Sequence, residues 1–143
     1  MKCILIKAGE KAEIIELKGK RKLEYKKMKE LLGFDSPVTC VSRKIGKKHF
    51  DLWLDDEGLL KPSEERVVAA VLDSSTCSEI LVGNILIANH DRQGNTTGLE
   101  DGEIETIMSK MAQRSNTDHY VYGYFDSGYC VVKANSQVLE YRL

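Results

Sequence analysis

Apolar positions come in short runs at the start of the chain. KCILIK (2–7) and AEIIEL (12–17) are rich in Ile and Leu and flank the polar AGEK stretch, which predicts a β-hairpin. Over 18–33, KGKRKLEYKKMKELLG, the spacing becomes helical. Tyr25, Met28, Leu31 and Leu32 fall near one face, Lys and Glu fill the other, and Gly33 stands where a C-terminal cap belongs. PVTCVSRKIGKKHFDLWLDDEGLL (37–60) predicts a second hairpin, with strands at 38–43 and 48–54 joined by KIGK, and DDEG (55–58) is a turn. Phe50, Leu52 and Trp53 do not alternate cleanly, so the pattern does not decide which face of that strand is buried.

Residues 60–76 fit either element. Val67, Val68, Val71 and Leu72 have helical spacing, while the Val content suits a strand. EILVGNILIAN (79–89) is the strongest strand pattern, and Gly83 at its centre points to a bulge or a close backbone approach. GEIETIMSKMA (102–112) predicts an amphipathic helix, with Ile104, Ile107, Met108 and Met111 on one side. HYVYGYF, YCVVKA and QVLEYRL, within 119–143, predict three short strands turned by DSG and NS. The sum is an α+β fold: a hairpin-rich antiparallel or mixed sheet of about eight strands with two main helices. The first two hairpins match at a spacing of 37 residues, through Cys3 and Cys40, Lys7 and Lys44, and Gly9 and Gly46. Either an internal duplication or shared turn chemistry accounts for that.

The length of 143 residues suits a single domain, and a 42% hydrophobic content is enough for a core. No stretch is long and apolar enough to span a membrane, and the N-terminus reads as a strand rather than a leader. The expected compartment is the cytoplasm. Cys3, Cys40, Cys77 and Cys130 form no C-x-x-C pair, and three of them lie in apolar runs, as buried free thiols do. Net charge is −1, but residues 1–50 carry 14 Lys and Arg against 6 acidic residues, and the remainder carries the opposite excess. Such asymmetry points to charged partners, or to two halves that attract one another within one fold.

NHDRQGNTTGLEDGE (89–103) concentrates the polar chemistry. As a calcium loop starting at Asp91 it places Thr96 where glycine is needed and Gly102 where a bidentate glutamate is needed. His90 has no second His at helical spacing, and His49 and His119 are isolated, so no metal site is expected. No phosphate loop, dinucleotide fingerprint or nucleophile elbow occurs. Asn84, Asn89, His90, Asp91, Arg92 and Asn95 remain candidates for a ligand or partner loop, beside the plainer reading of a polar strand-to-helix turn. Asp55, Asp56 and Glu57, or His90 with Asp91, are the residues acid–base chemistry would use. Lys18, Lys20, Arg21, Lys22, Lys26, Lys27 and Lys29, with Lys44, Lys47 and Lys48 at a hairpin tip, form a candidate basic face for nucleic acid. The competing reading is a solvated helix face with pairs such as Lys20–Glu24 and Lys26–Glu30.

The stretches MKCILIKAGEKAEIIEL, RKIGKKHFDLWLDDEGLLK (43–61) and ILVGNILIANHDRQGNTTGLEDGEIETI (80–107) resemble a domain-of-unknown-function family of small proteins encoded by phages, plasmids and integrative elements of Gram-positive and gut bacteria. The resemblance covers about residues 1–110, leaving 111–143 as a C-terminal β-meander extension. Members usually open the second helix with a Ser-Leu-Thr-type cap, where this chain has Gly98, Leu99 and Glu100. The resemblance implies a mobile-element accessory protein and transfers no catalytic residue. The expected function is therefore non-enzymatic binding of a host macromolecule, such as counter-defence of the anti-CRISPR or anti-restriction type. The alternatives are nucleic-acid binding through the basic half and capture of a small nucleotide-type ligand. No cofactor is expected. A host protein is the leading partner, and a second copy is another through an exposed edge in the C-terminal strands.

Overall fold

A computed structural model of the chain describes residues 1–7, 10–33, 35–57, 68–73, 78–116, 119–125, 130–131 and 141–142. The elements run β1 (Lys2–Ile6), β2 (Glu13–Glu16), α1 (Tyr25–Leu32), β3 (Val38–Ile45), β4 (Lys48–Asp55), β5 (Val68–Asp73), β6 (Ser78–Val82) and β7 (Ile85–His90), then β8 (Thr96–Thr97), α2 (Asp101–Lys110), β9 (Met111–Asn116), β10 (His119–Phe125), β11 (Cys130–Val131) and β12 (Tyr141–Arg142). The α+β class expected from the sequence holds.

The main sheet has the order β2-β1-β7-β4-β3, with β8 added to the end of β7, and every pairing in it is antiparallel. Both predicted hairpins form, and β7 is inserted between them. The first hairpin turns its leading strand to β7 and the second turns its trailing strand, so a simple duplication does not describe the topology. A second sheet has the order β6-β5-β10-β9, in which β10 runs parallel to β5. The strands after residue 110 thus pair with strands before it. β11 and β12 pair separately.

Period-two alternation sends alternate side chains to two cores. Ile4, Ile6, Phe50, Leu52, Ile85 and Ile87 meet Leu99, Ile104 and Ile107 on the α2 side. Cys3, Leu5, Leu86 and Ala88 meet Leu23, Met28 and Leu32 on the α1 side. β1 and β7 are therefore apolar on both faces, and β4 adds Trp53 to the α1 side beside Asp51 and Asp55, which is why it showed no clean alternation in the sequence.

Several expectations are corrected. The first helix starts at Tyr25 rather than near Lys18, because 18–22 is a turn and Leu23 bridges to Thr96. Gly33 does close that helix, at φ +77. The 79–89 run is two strands in two sheets, divided at Gly83, whose φ of +83 redirects the chain. Residues 68–73 are strand, and 58–67 lie outside the described residues. The second helix ends at Lys110, and Met111 begins β9. Cys40 is exposed, because β3 is the sheet's edge strand. Tyr25 and Met108, expected on buried helix faces, are exposed too. No helix among the described residues is long and apolar enough to cross a membrane.

Candidate functional site

The turn of residues 17–22 and the outer face of α1 enclose a cleft of about 660 Å³. Its wall carries Lys20, Arg21, Lys22, Lys26 and Lys27, opposed only by Glu24 and Glu30. The local fold explains the crowding. Leu23 is buried and its N–H donates to Thr96 O at 2.8 Å, so the basic turn is pinned at its end while its side chains stay in water. Lys27 pairs loosely with Glu30 at 3.8 Å. Among the described residues, Lys20, Arg21, Lys22 and Lys26 form no ion pair. The expected Lys20–Glu24 and Lys26–Glu30 pairs are absent, the first because Lys20 precedes the helix.

The structure divides the rest of the predicted basic face. Lys18 is exposed beside the cleft, and Lys29 is drawn away, its Nζ donating to Asp35 O at 2.9 Å. Lys44 is exposed on β3. Lys47 and Lys48 line a groove with Thr106 and Lys110 of α2, across the sheet from α1. Lys48 binds Glu103 and lies 5.8 Å from the Phe50 ring centroid. These hairpin-tip lysines therefore do not extend the α1 basic surface.

The 89–97 segment also separates into parts. Asp91 is the centre of a turn: its Oδ1 accepts from Gln93 N and Asn95 N, and its Oδ2 accepts from Asn95 Nδ2 at 3.0 Å. The Asn95 side-chain bond leads the causes that hold this carboxyl below its usual value. Asp91 and Asn95 are turn builders, and Arg92 is exposed. Asn84 donates to Leu32 O at 2.8 Å and so closes the end of α1. The acidic turn is equally structural. Asp55 is buried and accepts from Ser36 Oγ at 2.7 Å and Glu57 N at 2.8 Å, while Asp56 N donates to Pro37 O and the side chains of Asp56 and Glu57 face solvent.

Asn89 and His90 differ from the rest of that segment. β4 and β7 are paired as far as Asp51 and Ala88; beyond that point β7 pairs with β8 while β4 stays with β3. The strands part, and a polar cleft of about 350 Å³ opens in the gap. It draws residues from both faces of the sheet. Asn89 Nδ2 donates to Glu103 Oε1 at 2.9 Å, and Glu100 N donates to the same oxygen at 2.9 Å, which replaces part of the missing Ser or Thr cap of α2. Burial raises the Glu103 carboxyl, but Lys48, the Glu100 N–H and Asn89 together outweigh it and hold the group below its usual value.

On the other wall His90 Nδ1 lies 2.8 Å from Asp51 Oδ2. The Asp51 side chain is only 10% exposed and that of His90 65%. The partner of His90 is therefore Asp51, 39 residues away, and not the adjacent Asp91. Sequence reasoning missed Asp51. Its one signal was a carboxylate inside the apolar run HFDLWL, where a strand interior seldom keeps a charge without a partner. With the Asp51 carboxylate as acceptor, Nδ1 is the donor of this pair. Among the described residues, no group of three His, Cys, Asp or Glu is placed to hold a metal ion.

The comparison with curated proteins finds no match, and neither does the comparison with solved structures. The family model described as a domain of unknown function (DUF3846) matches residues 1–112, which takes in the main sheet, both helices and both clefts, and the chain belongs to that family.

Proposed function

We propose that this protein acts by binding rather than catalysis, and that the cleft beside α1 receives the phosphate backbone of a nucleic acid. The observation that carries this reading is the set of five cations on one wall, four of them without an ion-pair partner among the described residues. Released counterions supply the driving force for such a contact, so affinity falls steeply with salt. The lining offers no aromatic ring for base stacking and no amide side chain for reading base edges, which favours recognition of backbone over sequence. The setting follows from the resemblance: an accessory factor of a phage, plasmid or integrative element, working in the bacterial cytoplasm in counter-defence.

A second reading takes a host protein as the target. It is favoured by the placement of charge on opposite faces of the sheet, with the basic turn and α1 on one side and Glu100 with Asp101, Glu103 and Glu105 of α2 on the other. Opposed fields of this kind steer encounters with complementary partners.

Fluorescence anisotropy with labelled single-stranded and duplex DNA and RNA, across a salt series, tests the first reading. Lys22→Glu with Lys26→Glu is expected to reduce binding to every sequence alike and to lower the salt slope by about one per lost phosphate contact. Unchanged binding would sink the nucleic-acid reading. Capture of one host protein that survives high salt would then favour the second.

A further inference from the structure

We propose that the outer edge of β3 pairs with the same edge of a second copy of this chain, antiparallel about Val41. The inference is independent of the basic cleft. β3 is the last strand of its sheet, and among the described residues no strand lies beyond it. The ladder with β4 fixes which backbone groups look outward. Ile45 and Lys48 close the tight turn at Gly46 and Lys47, so the odd-numbered residues from Thr39 to Ile45 exchange hydrogen bonds with β4. The even-numbered ones, from Val38 to Lys44, turn theirs to the open side. Two bonds agree with this phase: Asp56 N donates to Pro37 O on the inner side, and Val38 N donates to Tyr25 OH on the outer side. Arg43 Nη1 also donates to Ser42 O. The N–H groups of Cys40, Ser42 and Lys44 are left facing outward with no backbone acceptor among the described residues.

The two edges of the main sheet are not alike. β2 has four residues and carries Glu13 and Glu16, exposed carboxylates of the kind that keep an edge from pairing. β3 has eight residues and an uncharged centre, Thr39 to Ser42. Charge then selects the partner and its direction. Asp35, Asp56 and Glu57 are exposed at the start of β3, Lys44 and Lys47 are exposed at its end, and none of these forms an ion pair among the described residues. An antiparallel copy lays the basic end of each strand against the acidic end of the other, whereas a parallel copy would set like against like. The contact is isologous and closes at two copies. A twofold axis at Val41 sets Cys40 opposite Ser42 of the partner subunit, so their outward N–H and C=O groups meet. An axis at Arg43 would instead face that cation with its own copy.

The test is sedimentation equilibrium of the full chain over a concentration series, with hydrogen exchange read at the Cys40 and Ser42 amides. A reversible doubling of mass with concentration is expected, and both amides should exchange more slowly in the dimer. Ser42→Pro removes an outward N–H and no bond to β4, so it is expected to weaken association by about tenfold or more while the monomer stays folded. Ile14→Pro makes the same change on the edge of β2, where Leu17 N donating to Met1 O turns the Ile14 N–H outward, and is expected to leave association unchanged. Lys44→Glu with Lys47→Glu, and separately Asp56→Lys with Glu57→Lys, are each expected to lose self-association severalfold. A mixture of the two variants should recover it, because each basic end then meets an acidic one. A chain that stays monomeric into the millimolar range, equal losses from Ser42→Pro and Ile14→Pro, or a mixture that fails to recover would overturn the pairing. If Ser42→Pro does not fold, the mixture decides alone. Protection of the Cys40 and Ser42 amides by an unrelated extended peptide, in a chain that stays monomeric, would give the edge to a foreign strand and equally overturn it.

Discussion

At the residue scale, close approaches control what the chain tolerates. A Cβ on Gly98 would sit 2.8 Å from Met1 Cβ and 3.0 Å from Lys2 N, because the segment before α2 runs directly along β1. Leu99 N donates to Lys2 O at 2.7 Å, so the backbones cannot separate without breaking that bond. Gly98→Ala is expected to cost well over about 1 kcal/mol, read as a lower urea midpoint. Gly94→Ala has open space around it and should cost only the strain of its positive φ. Equal losses at the two positions would show that the close approach is not what matters. Neither contact was legible in the sequence, where Gly98 stood only as a departure from the usual cap of the second helix. The thiols make a second case. Burial pushes Cys3 up to about 11, and desolvation, helped by Asp51, does the same to the exposed Cys40. Alkylation of Cys40 is therefore expected to be slow at neutral pH and to accelerate as pH rises toward 11, since the thiolate is the nucleophile. Fast labelling at pH 7 would contradict this. Cys3 should stay unlabelled until the protein unfolds.

At the element scale, local pattern was a good guide to type and a poor guide to partners. The two hairpins, the Gly33 cap and the Ile104 and Ile107 half of the α2 stripe were readable, because each depends on neighbours within a few residues, whereas Met108 is exposed and Met111 belongs to β9. The division of 79–90 at Gly83 was not readable. An apolar run looks the same whether it belongs to one sheet or two, and only the positive φ at Gly83 decides. The same blindness hid the polar cleft, since it exists only because β7 leaves β4 to pair with β8. α1 shows how a short element survives. Eight residues are too few for an isolated helix in water, so docking has to hold it. Leu32 and Met28 are buried, Asn84 binds the Leu32 carbonyl, and Tyr25 OH accepts from Val38 N at 3.0 Å. Leu32→Ala is expected to destabilise the fold by roughly 2–5 kcal/mol, and Tyr25→Phe by about 1 kcal/mol, both measured by chemical denaturation. If the helix is secured mainly by its apolar face, the Leu32 effect must be the larger, and the reverse order would reject that account.

At the scale of the whole molecule, the opposite charge of the two halves draws them together within the fold, one of the two consequences that the sequence left open. Lys2–Asp101 and Lys48–Glu103 join the basic half to the acidic half across the fold, while the basic turn before α1 keeps its charge for solvent or a partner. The Lys48–Glu103 pair ties this to pH. Glu103 has a folded value below its ordinary 4.5, so its contribution is complete above 4.5 and disappears as pH falls through the lower folded value. Lys48 has a folded value above its ordinary 10.5, raised first by the Glu103 hydrogen bond, so its share is complete below 10.5 and disappears as pH rises through the higher folded value. The pair thus stabilises the fold across the neutral range and fails at both ends. Glu103→Gln should lower the urea midpoint between about pH 5 and pH 10, and the gap from the unaltered protein should narrow toward both extremes. The expected loss includes the bonds from Asn89 and the Glu100 N–H as well as the ion pair. A gap that stays constant with pH would mean that Glu103 acts through those neutral bonds alone. In that case the two halves would be held together by the shared sheet, and the charge separation would be left entirely to binding.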